Sequence, residues 1–309
     1  MSIVLPFSRD FDCEYGVADA VAPGLRRVVA NNPSPFTFKG TNSYIVGTGM
    51  VAVIDPGPDD EAHRSALLAE LERGGERVSH IFLTHTHKDH SAGLAKFAEI
   101  TGAEILGFGS ETASRRAVQL DPASESFLDA DFVPDRPLKG GERIAGGDWQ
   151  LEAVFTPGHA PDHLCFAMDD GETLLSGDHV MGWNTTVVAP PEGNMGDYIN
   201  SLEALLKRPE GVYFPGHGGR VDQAPRLVKA FIMHRRWRES QILECLREGL
   251  DTIDLIVPKI YENLAESLRA AAAYSVLAHL ELLAETGRVT AEPQPPGLHS
   301  RYSISGVPG

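Results

Sequence analysis

The sequence predicts an α/β protein with an αββα arrangement, in which two sheets pack together and helices cover their outer faces. Three observations support this fold class. Short β-like runs alternate with helical stretches in two successive halves of the chain. Polar side chains that can bind metals follow the ends of several predicted strands. After residue 223 the pattern changes to three helical stretches and two short strands, so we place a domain boundary between residues 1–223 and 224–309.

The first half opens with three predicted strands, LRRVVA, NSYIVG and MVAVIDPG, between about residues 25 and 55. A helix is expected over residues 59–73, where acidic residues at the start suit the positive end of the helix dipole. The run RVSHIFLT then predicts a buried strand that ends in the motif HTHKDH. A second helix is expected over residues 91–101.

The second half repeats this order with the strand-like runs DWQLEAVFTPG, DHLCFAM and ETLLSGD. A helix over residues 197–207 and a strand in GVYFPGHG follow. Between the halves, residues 110–137 are polar and acidic without clear periodicity. They predict a surface excursion, and a candidate lid over a cleft.

The C-terminal part begins with a long amphipathic helix over residues 224–248. Helical stretches at 253–261 and 265–285 follow, and two short strands around a proline-rich turn end the chain. The order of three helices and a hairpin predicts a small winged-helix-like domain.

Composition limits the classes of function. The net charge of −16 argues against a broad electropositive surface for duplex nucleic acid. No apolar run approaches the roughly 18 residues that a membrane span needs, and the first residues do not resemble a signal peptide. Three widely spaced cysteines suit a reducing compartment. We therefore expect a cytoplasmic protein without a membrane partner, and leave homo-oligomerisation open.

The motif at residues 85–90 carries the strongest chemical signal. Four potential metal ligands fall within six residues, directly after a predicted strand: His85, His87, Asp89 and His90. Residues two apart in an extended loop point to the same side, so His85 and His87 can bind one ion. Asp89 and His90, beyond the turn, can reach a second ion. Zn²⁺ suits these donors, and Fe²⁺ or Mn²⁺ could also be held. The alternative is a polar surface loop.

Three later turns each place one further candidate ligand after a strand. His159 lies in TPGH, Asp178 in SGD and His217 in PGHG. Each turn alone has an ordinary structural explanation. In this order after HTHKDH, the three together predict a site for two divalent metal ions.

This ordered set of seven residues resembles the pattern of the metallo-β-lactamase-fold hydrolase superfamily. The resemblance implies one metal on His85, His87 and His159, a second on Asp89, His90 and His217, and Asp178 as a bridge. It also implies that Asp55, in the run VIDPG, orients a metal ligand by hydrogen bonding. The implied chemistry is hydrolysis by a metal-bridging hydroxide, with Asp89 and Asp178 as the catalytic residues and Asp89 also orienting the nucleophile.

Longer runs resemble one branch of that superfamily. They include SGDHVMGWNTTVVAPPEGN, PGHG and HRRWRESQIL. The branch contains a β-lactamase-like endoribonuclease and carries a C-terminal winged helix, so the resemblance implies single-stranded RNA as a substrate. Glyoxalase II enzymes share the ligand types, which leaves hydrolysis of a thioester or small-molecule ester as the alternative. The commonest zinc β-lactamases carry cysteine where Asp178 stands, so antibiotic hydrolysis is not expected.

Other residues are candidates for supporting roles. Residues 217–247 hold seven Arg or Lys against three Asp or Glu. Arg235 and Arg236, in the basic helix over 226–238, could contact phosphate or RNA, or form a solvated helix face. His163 could orient a ligand or be an ordinary buried histidine. Trp183, Asn184 and Thr185 could line the substrate cleft or simply pack in a loop.

Two rival functions come from other classes. The first is a non-catalytic metal-bearing regulator whose winged helix binds DNA. Residues 251–309 carry four Lys or Arg against seven Asp or Glu, and this acidity argues against duplex DNA. The second is a redox or scaffold role with two irons. No flavin or other cofactor motif accompanies the site, so hydrolysis is favoured.

Overall fold

The computed structural model describes residues 5–108, 128–129, 132–262 and 264–306. Its first sheet has seven strands in the order β1 to β7. β1 to β4 pair antiparallel, and β4 to β7 pair parallel. The strands are β1 (Ala18–Ala22), β2 (Leu25–Val29), β3 (Asn42–Val46), β4 (Met50–Ile54), β5 (Arg77–Phe82), β6 (Glu104–Phe108) and β7 (Arg136–Leu138).

The second sheet has five strands in the order β12-β11-β10-β9-β8. Only β11 and β12 are parallel, and the other neighbours are antiparallel. The strands are β8 (Arg143–Ala145), β9 (Gln150–Phe155), β10 (Leu164–Met168), β11 (Thr173–Gly177) and β12 (Val212–Pro215).

Seven α-helices are found in the described part of the chain. They are α1 (Glu61–Gly74), α2 (Lys88–Ser91), α3 (Leu94–Thr101), α4 (Met195–Leu205), α5 (Ala224–Arg247), α6 (Ile253–Ile260) and α7 (Arg269–Glu285), with a 3₁₀ turn at Glu266–Leu268 before α7. Local capping explains where α1 begins and ends. The Asp60 carboxylate accepts from the His63 amide at its start, and Gly75, with φ +62°, ends it in the left-handed conformation.

The main core lies between the two sheets. Leu25, Ile54 and Phe82 from the first sheet pack with Phe166 and Phe214 from the second. The other face of the first sheet packs against α1 and α3, and that of the second against α4 and α5. These layers form the predicted αββα sandwich, and they bring the carboxyl ends of β5 and β11 to one edge.

The C-terminal residues form their own small core around the hairpin of β13 (Val289–Glu292) and β14 (Arg301–Ile304). The helix α5 takes part in two clusters: Leu227 and Phe231 pack on the second sheet, whereas Ile242 and Leu246 pack with the C-terminal elements. Helix α5 therefore joins the two units. The boundary at residues 223/224 stays a prediction.

The structure departs from the sequence-based element predictions in five places, one of which is the end of the predicted excursion. The strands β1, β6 and β8 were not predicted, because each is short and lacks a clear alternation. The helix predicted over 91–101 is two helices, α2 and α3, with a break at residues 92–93.

The predicted excursion over 110–137 was wrong at its end, because Arg136 and Pro137 belong to the edge strand β7. Residues 110–127 and 130–131 lie outside the described residues. Leu128 and Asp129 are described and pair with the backbone of the 85–90 motif. Among the helices described, none is both long enough and apolar enough to cross a bilayer.

Candidate metal centre

The motif residues occupy the loop between β5 and α2. Residues 83–87 leave the end of β5, and His87 stands as the N-cap of α2 with extended φ and ψ. Asp89 and His90 lie in the single turn of α2. The change from strand to helix within six residues turns the second pair away from the first. The assignment of the two pairs to different ions stays a prediction, because His85 also forms a ligand group with His90 and Asp178.

The three other predicted residues arrive from the ends of β9, β11 and β12. Gly158, just before His159, has φ +137°, and a Cβ there would lie 2.3 Å from the Tyr198 Cα. Gly177, before Asp178, has φ +48°. Only glycine suits the conformation of Gly158. The absence of a Cβ there lets the backbone approach α4 closely, and this approach places His159.

All seven predicted side chains meet at one place. Three groups of side chains can be drawn in which the potential ligand atoms of each group lie within 4.8 Å of one another. They are His85, His87 and His159; His85, His90 and Asp178; and Asp89, His90 and His217. Since His85 and His90 each belong to two groups, the groups form one continuous centre.

In four of the five imidazoles the ring nitrogen that faces away from the centre hydrogen-bonds to another part of the protein. His159 Nδ1 lies 2.6 Å from the Val187 carbonyl oxygen, and His217 Nδ1 lies 3.1 Å from that of Gly40. His90 Nδ1 lies 2.8 Å from Asp55 Oδ2, and His85 Nδ1 lies 2.9 Å from Thr84 Oγ1. In the fifth, His87, the outer nitrogen Nε2 lies 3.5 Å from Glu192 Oε2. Carbonyl and carboxylate oxygens only accept, so the outer nitrogens of His90, His159 and His217 carry protons.

Asp55 fixes two of these rings. Its Oδ1 accepts from the Thr84 amide and its Oδ2 from the Thr84 hydroxyl. The Thr84 hydroxyl therefore accepts from His85 Nδ1, while Asp55 Oδ2 accepts from His90 Nδ1. Asp55 has φ +50°, a conformation uncommon outside glycine, and its side chain is buried. Asp55 thus lies where the sequence predicted a residue that orients ligands.

A cation fits the inner atoms of the three-histidine group. His87 Nδ1 lies 2.9 Å from His85 Nε2 and 3.0 Å from His159 Nε2. Because the outer nitrogens of His85 and His159 hold protons, the inner nitrogens of these two rings present lone pairs toward His87 Nδ1. At the second position, His90 Nε2 and Asp178 Oδ1 are buried without a hydrogen-bond partner and lie 3.4 Å apart. The donor set suits divalent ions such as zinc.

The two ends of the centre differ in charge. Burial and the neighbouring imidazoles lower the pKa of His85 well below its ordinary value and that of His159 to about 4, so both are neutral. At the other end burial again lowers the pKa of His217, but the carboxylates of Asp178 and Asp89 outweigh it and raise that pKa to about 9. The same carboxylates, with Asp55, raise the pKa of His90 well above its usual range. The carboxylates of Asp89 and Asp178 therefore favour positive charge at their end of the centre, whether it is a proton on a histidine or a metal cation.

The centre opens to solvent on one side. The Asp89 side chain is 30% exposed and that of His87 15%, whereas His90 and His217 are buried. Asp89 and His87 are therefore the most accessible of the seven side chains.

The other predicted residues lie around the centre in different environments. His163 Nε2 accepts from the Asp178 amide, and the other nitrogen, Nδ1, pairs with the Thr156 hydroxyl. Trp183 is buried and stacks on Phe38 with ring centroids 4.9 Å apart. Asn184 and Thr185 are half-buried. Contact of Trp183, Asn184 or Thr185 with substrate stays a prediction.

The two candidate arginines of the basic helix point in opposite directions. Arg235 is buried and donates to the Thr186 carbonyl oxygen. Arg236 is exposed and pairs with Glu203 at 2.7 Å. The basic helix therefore does not present both guanidiniums to one surface.

Several residues at the centre were not singled out in the sequence. The Thr41 hydroxyl donates to Asp89 Oδ2 at 3.1 Å and accepts from Asn32. The side chains of Asn42 and Tyr44 both donate to the Pro215 carbonyl beside His217. These three belong to the run GTNSY, whose polar residues inside a buried strand were an available signal.

Two acidic residues were also missed. Asp162 accepts from the Thr86 amide at 3.1 Å and so braces the motif loop. Glu192 lies beside His87, as described above. Neither residue belongs to the seven-residue pattern. Both lie near proline-rich turns, whose sequences gave no chemical signal.

Comparison with known proteins identifies the family to which this fold and this centre belong. Residues 36–217 match the family model described as the metallo-beta-lactamase superfamily, and residues 252–297 match the beta-lactamase-associated winged helix domain. A beta-lactamase-like protein 2 homolog from Drosophila melanogaster is 32% identical, covering 85% of this chain and 88% of that protein. An atrochrysone carboxyl ACP thioesterase from Paecilomyces divaricatus is 30% identical, covering 74% and 66%.

A solved structure extends the likeness of fold to the whole chain. The crystal structure of a beta-lactamase domain protein from Burkholderia ambifaria superposes with a TM-score of 0.78 at 22% identity, covering 97% of both chains. The sandwich, the convergent histidines and aspartates and the C-terminal domain all agree with these matches. The chain belongs to the metallo-beta-lactamase superfamily and is a hydrolase of that superfamily, with a beta-lactamase-associated winged helix domain at its C-terminal end.

Proposed function

We propose that this protein is a dinuclear metal-dependent hydrolase of small-molecule thioesters or esters, with zinc at both positions. One observation carries the dinuclear assignment. The inner nitrogens of the first group converge, with His87 Nδ1 2.9 Å from His85 Nε2 and 3.0 Å from His159 Nε2, and buried, unpartnered atoms of His90 and Asp178 lie beside them. Divalent cations would satisfy these converging nitrogen and carboxylate atoms together.

The chain offers ligands for two ions. His85, His87 and His159 would hold one, and Asp89, His90 and His217 the other, with Asp178 between the two groups. When bound, the pair of ions supplies Lewis acidity and lowers the pKa of water from about 15.7 toward 7. Imidazole and carboxylate donors in this number suit zinc, although iron and manganese are also compatible.

Asp89 is the residue best placed to act on the attacking water. Thr41 donates to its Oδ2, which leaves Oδ1 as the freer acceptor, and the side chain is the most exposed of the seven. We infer that Oδ1 accepts a hydrogen bond from the water and directs its lone pair toward the carbonyl carbon. Burial of Asp178 and the rings around it excludes bulk water from the opposite side.

Two observations favour a thioester or ester substrate. The basic helix turns Arg235 into the protein and pairs Arg236 with Glu203, so neither of the two candidate arginines offers free positive charge to a phosphate backbone. The Paecilomyces relative is named as an acyl-carrier-protein thioesterase. We therefore rank thioester hydrolysis above RNA cleavage.

Single-stranded RNA is the second candidate substrate. The runs that resemble the endoribonuclease branch favour it. The test must therefore include both substrate classes.

The test combines metal content with a substrate panel. We expect two equivalents of zinc by elemental analysis, and turnover of S-lactoylglutathione or an acyl-N-acetylcysteamine thioester. Labelled single-stranded RNA, bis(p-nitrophenyl) phosphate and a chromogenic cephalosporin complete the panel. Asp178→Asn, which keeps the size but removes the charge, should lower metal content and reduce turnover at least about 100-fold.

His299→Ala serves as the matched control, because His299 is exposed in the turn between β13 and β14. It should leave both readouts unchanged. Active protein with no bound metal would overturn the dinuclear proposal. RNA cleavage without thioester turnover would overturn the substrate assignment and leave the dinuclear centre standing.

A further inference from the structure

Arg235 lies inside the protein rather than on the surface of the basic helix. Its side chain extends from α5 toward the segment that follows Asp178, where its guanidinium donates to the Thr186 carbonyl oxygen at 2.5 Å. The guanidinium also lies 5.2 Å from the centre of the Tyr198 ring on α4. Helix α5 thus reaches the loop between β11 and α4 through one side chain.

The segment that Arg235 binds touches two of the proposed metal ligands. The Thr186 hydroxyl lies 2.8 Å from the carbonyl oxygen of Asp178 and 3.0 Å from that of His179, and donates to them. The next residue, Val187, accepts from His159 Nδ1 at 2.6 Å through its carbonyl oxygen. One short stretch of backbone therefore holds the main chain of Asp178 and the ring of His159.

The charge of Arg235 is not neutralised by an acid. Within the described part of the chain, neither Arg235 nor its helix neighbour Arg238 forms an ion pair with a carboxylate. His234 and His279, which also lie near these arginines, have pKa values lowered by burial and then by the arginines, so they bring no compensating charge. Burying a guanidinium in this way is costly, and the polar contact that offsets the cost is the Thr186 carbonyl.

We propose that Arg235 is a positioning residue of the metal centre: through the Thr186–Val187 segment it fixes the backbone of Asp178 and the ring of His159. Helix α5, which enters the C-terminal core, is then part of the support of the centre. This inference rests on the proposed dinuclear function, since it concerns how two of the proposed ligands are held. Orienting groups of this kind typically contribute 10- to 100-fold in metal affinity.

Arg238 provides a matched control on the same helix. It is also buried and forms no ion pair with an acid among the described residues, but it donates to Gln241 of its own helix and lies 4.2 Å from the centre of the Tyr261 ring. If buried arginines serve only to stabilise the fold, substitution of either one should have the same effect on zinc affinity. If Arg235 positions the metal ligands, only its substitution should weaken zinc binding.

The experiment measures zinc affinity by competition with a chelator, in the full-length protein. Arg235→Met removes the donors and keeps the apolar stem, and we expect roughly tenfold weaker zinc binding. Arg235→Lys retains one donor and should recover part of the loss. Arg238→Met should keep the wild-type zinc affinity, even if its melting temperature falls as far as that of Arg235→Met.

Cobalt(II) substitution adds a spectroscopic readout, because visible absorption reports the geometry of the ligands around the ion. Arg235→Met should alter the spectrum and Arg238→Met should not. In a double-mutant cycle, Arg235→Met and Thr186→Val should be less than additive in zinc affinity, because both act through the same segment.

The outcomes separate this inference from the function on which it rests. Wild-type protein that binds no zinc overturns the proposed function itself. Wild-type protein that binds two equivalents, with an Arg235→Met variant of unchanged affinity and cobalt spectrum, overturns only the positioning role. Equal losses of zinc affinity in Arg235→Met and Arg238→Met also overturn the positioning role, because they indicate a general effect of packing.

Discussion

Residues 85–90 and the three turns that carry His159, Asp178 and His217 supply the same centre by different means. The first region is one loop and one turn of helix, and four side chains are arranged by local backbone geometry. In the second region each side chain arrives from a different strand end, and each is held by a contact with another element. Val187, His163 and Gly40 provide those contacts.

The two regions are therefore vulnerable to different kinds of substitution. A local run keeps the relative positions of its side chains as long as its own backbone is intact. Side chains from separate turns depend on packing between α4, α5 and the second sheet. We therefore expect substitutions behind the turns to release single ligands. Substitutions behind the run should act only where one residue braces several rings.

The largest expected effect comes from Gly158→Ala, which acts behind one turn. The φ of +137° is a conformation essentially reserved for glycine, and the new Cβ would lie 2.3 Å from the Tyr198 Cα. Strain and the clash together should lower the free energy of unfolding by roughly 2–6 kcal/mol. Because His159 must move, zinc stoichiometry should also fall. Chemical denaturation and elemental analysis measure the two effects.

Gly171→Ala separates strain from displacement. Gly171 has φ +70°, but a Cβ there would meet nothing within 4 Å. It should cost about 1 kcal/mol and leave metal content unchanged. If Gly158→Ala binds zinc as well as Gly171→Ala does, the placement of His159 does not depend on the turn.

The next effect comes from Asp55→Asn, which tests the brace behind the run. The amide cannot accept from the Thr84 amide, the Thr84 hydroxyl and His90 Nδ1 together. One donor then faces another, and relief requires a different tautomer of His85 or His90. Since that tautomer places a proton on the inner nitrogen, zinc affinity should fall about 10- to 100-fold.

The control for this change is Asp148→Asn, in which an exposed acid accepts from the Thr48 amide and hydroxyl. It removes the same charge far from the centre and should not alter zinc affinity. Equal affinities for Asp55→Asn and the wild type would show that the run holds its rings without the brace. That result would sharpen the contrast between the two regions.

Sequence reasoning predicted the αββα sandwich, the winged-helix domain and the seven residues that meet. It succeeded because ligand types after predicted strands form an unusual order, and because the long elements have clear periodicity. It could not assign which nitrogen of each histidine faces inward. That choice is made by carbonyl groups of Val187 and Gly40, and the backbone of any residue can supply these.

The directions of Arg235 and Arg236 were likewise undetermined by composition, although a signal existed. Arg235 and Arg238 lie on the same helical stripe as Phe231 and Ile242, and all four are buried. Helical spacing therefore predicts that these arginines point inward, with Arg236 on the opposite face. Reading the charges as one basic patch missed this, because net charge carries no direction.

The smallest expected effect comes from Arg236→Ala on the exposed face of α5. The Arg236 and Glu203 side chains are 65% and 43% exposed, so losing their ion pair should change the free energy of unfolding by less than about 1 kcal/mol. Thioester turnover and zinc affinity should remain at wild-type values, in contrast to Arg235→Met. The same variant tests the RNA alternative, because a phosphate contact by Arg236 would make RNA binding weaker and less dependent on salt. If Arg236→Ala weakens RNA binding while Arg235→Met leaves the metal centre intact, then α5 acts through its outer face, and its role in positioning Asp178 and His159 is wrong.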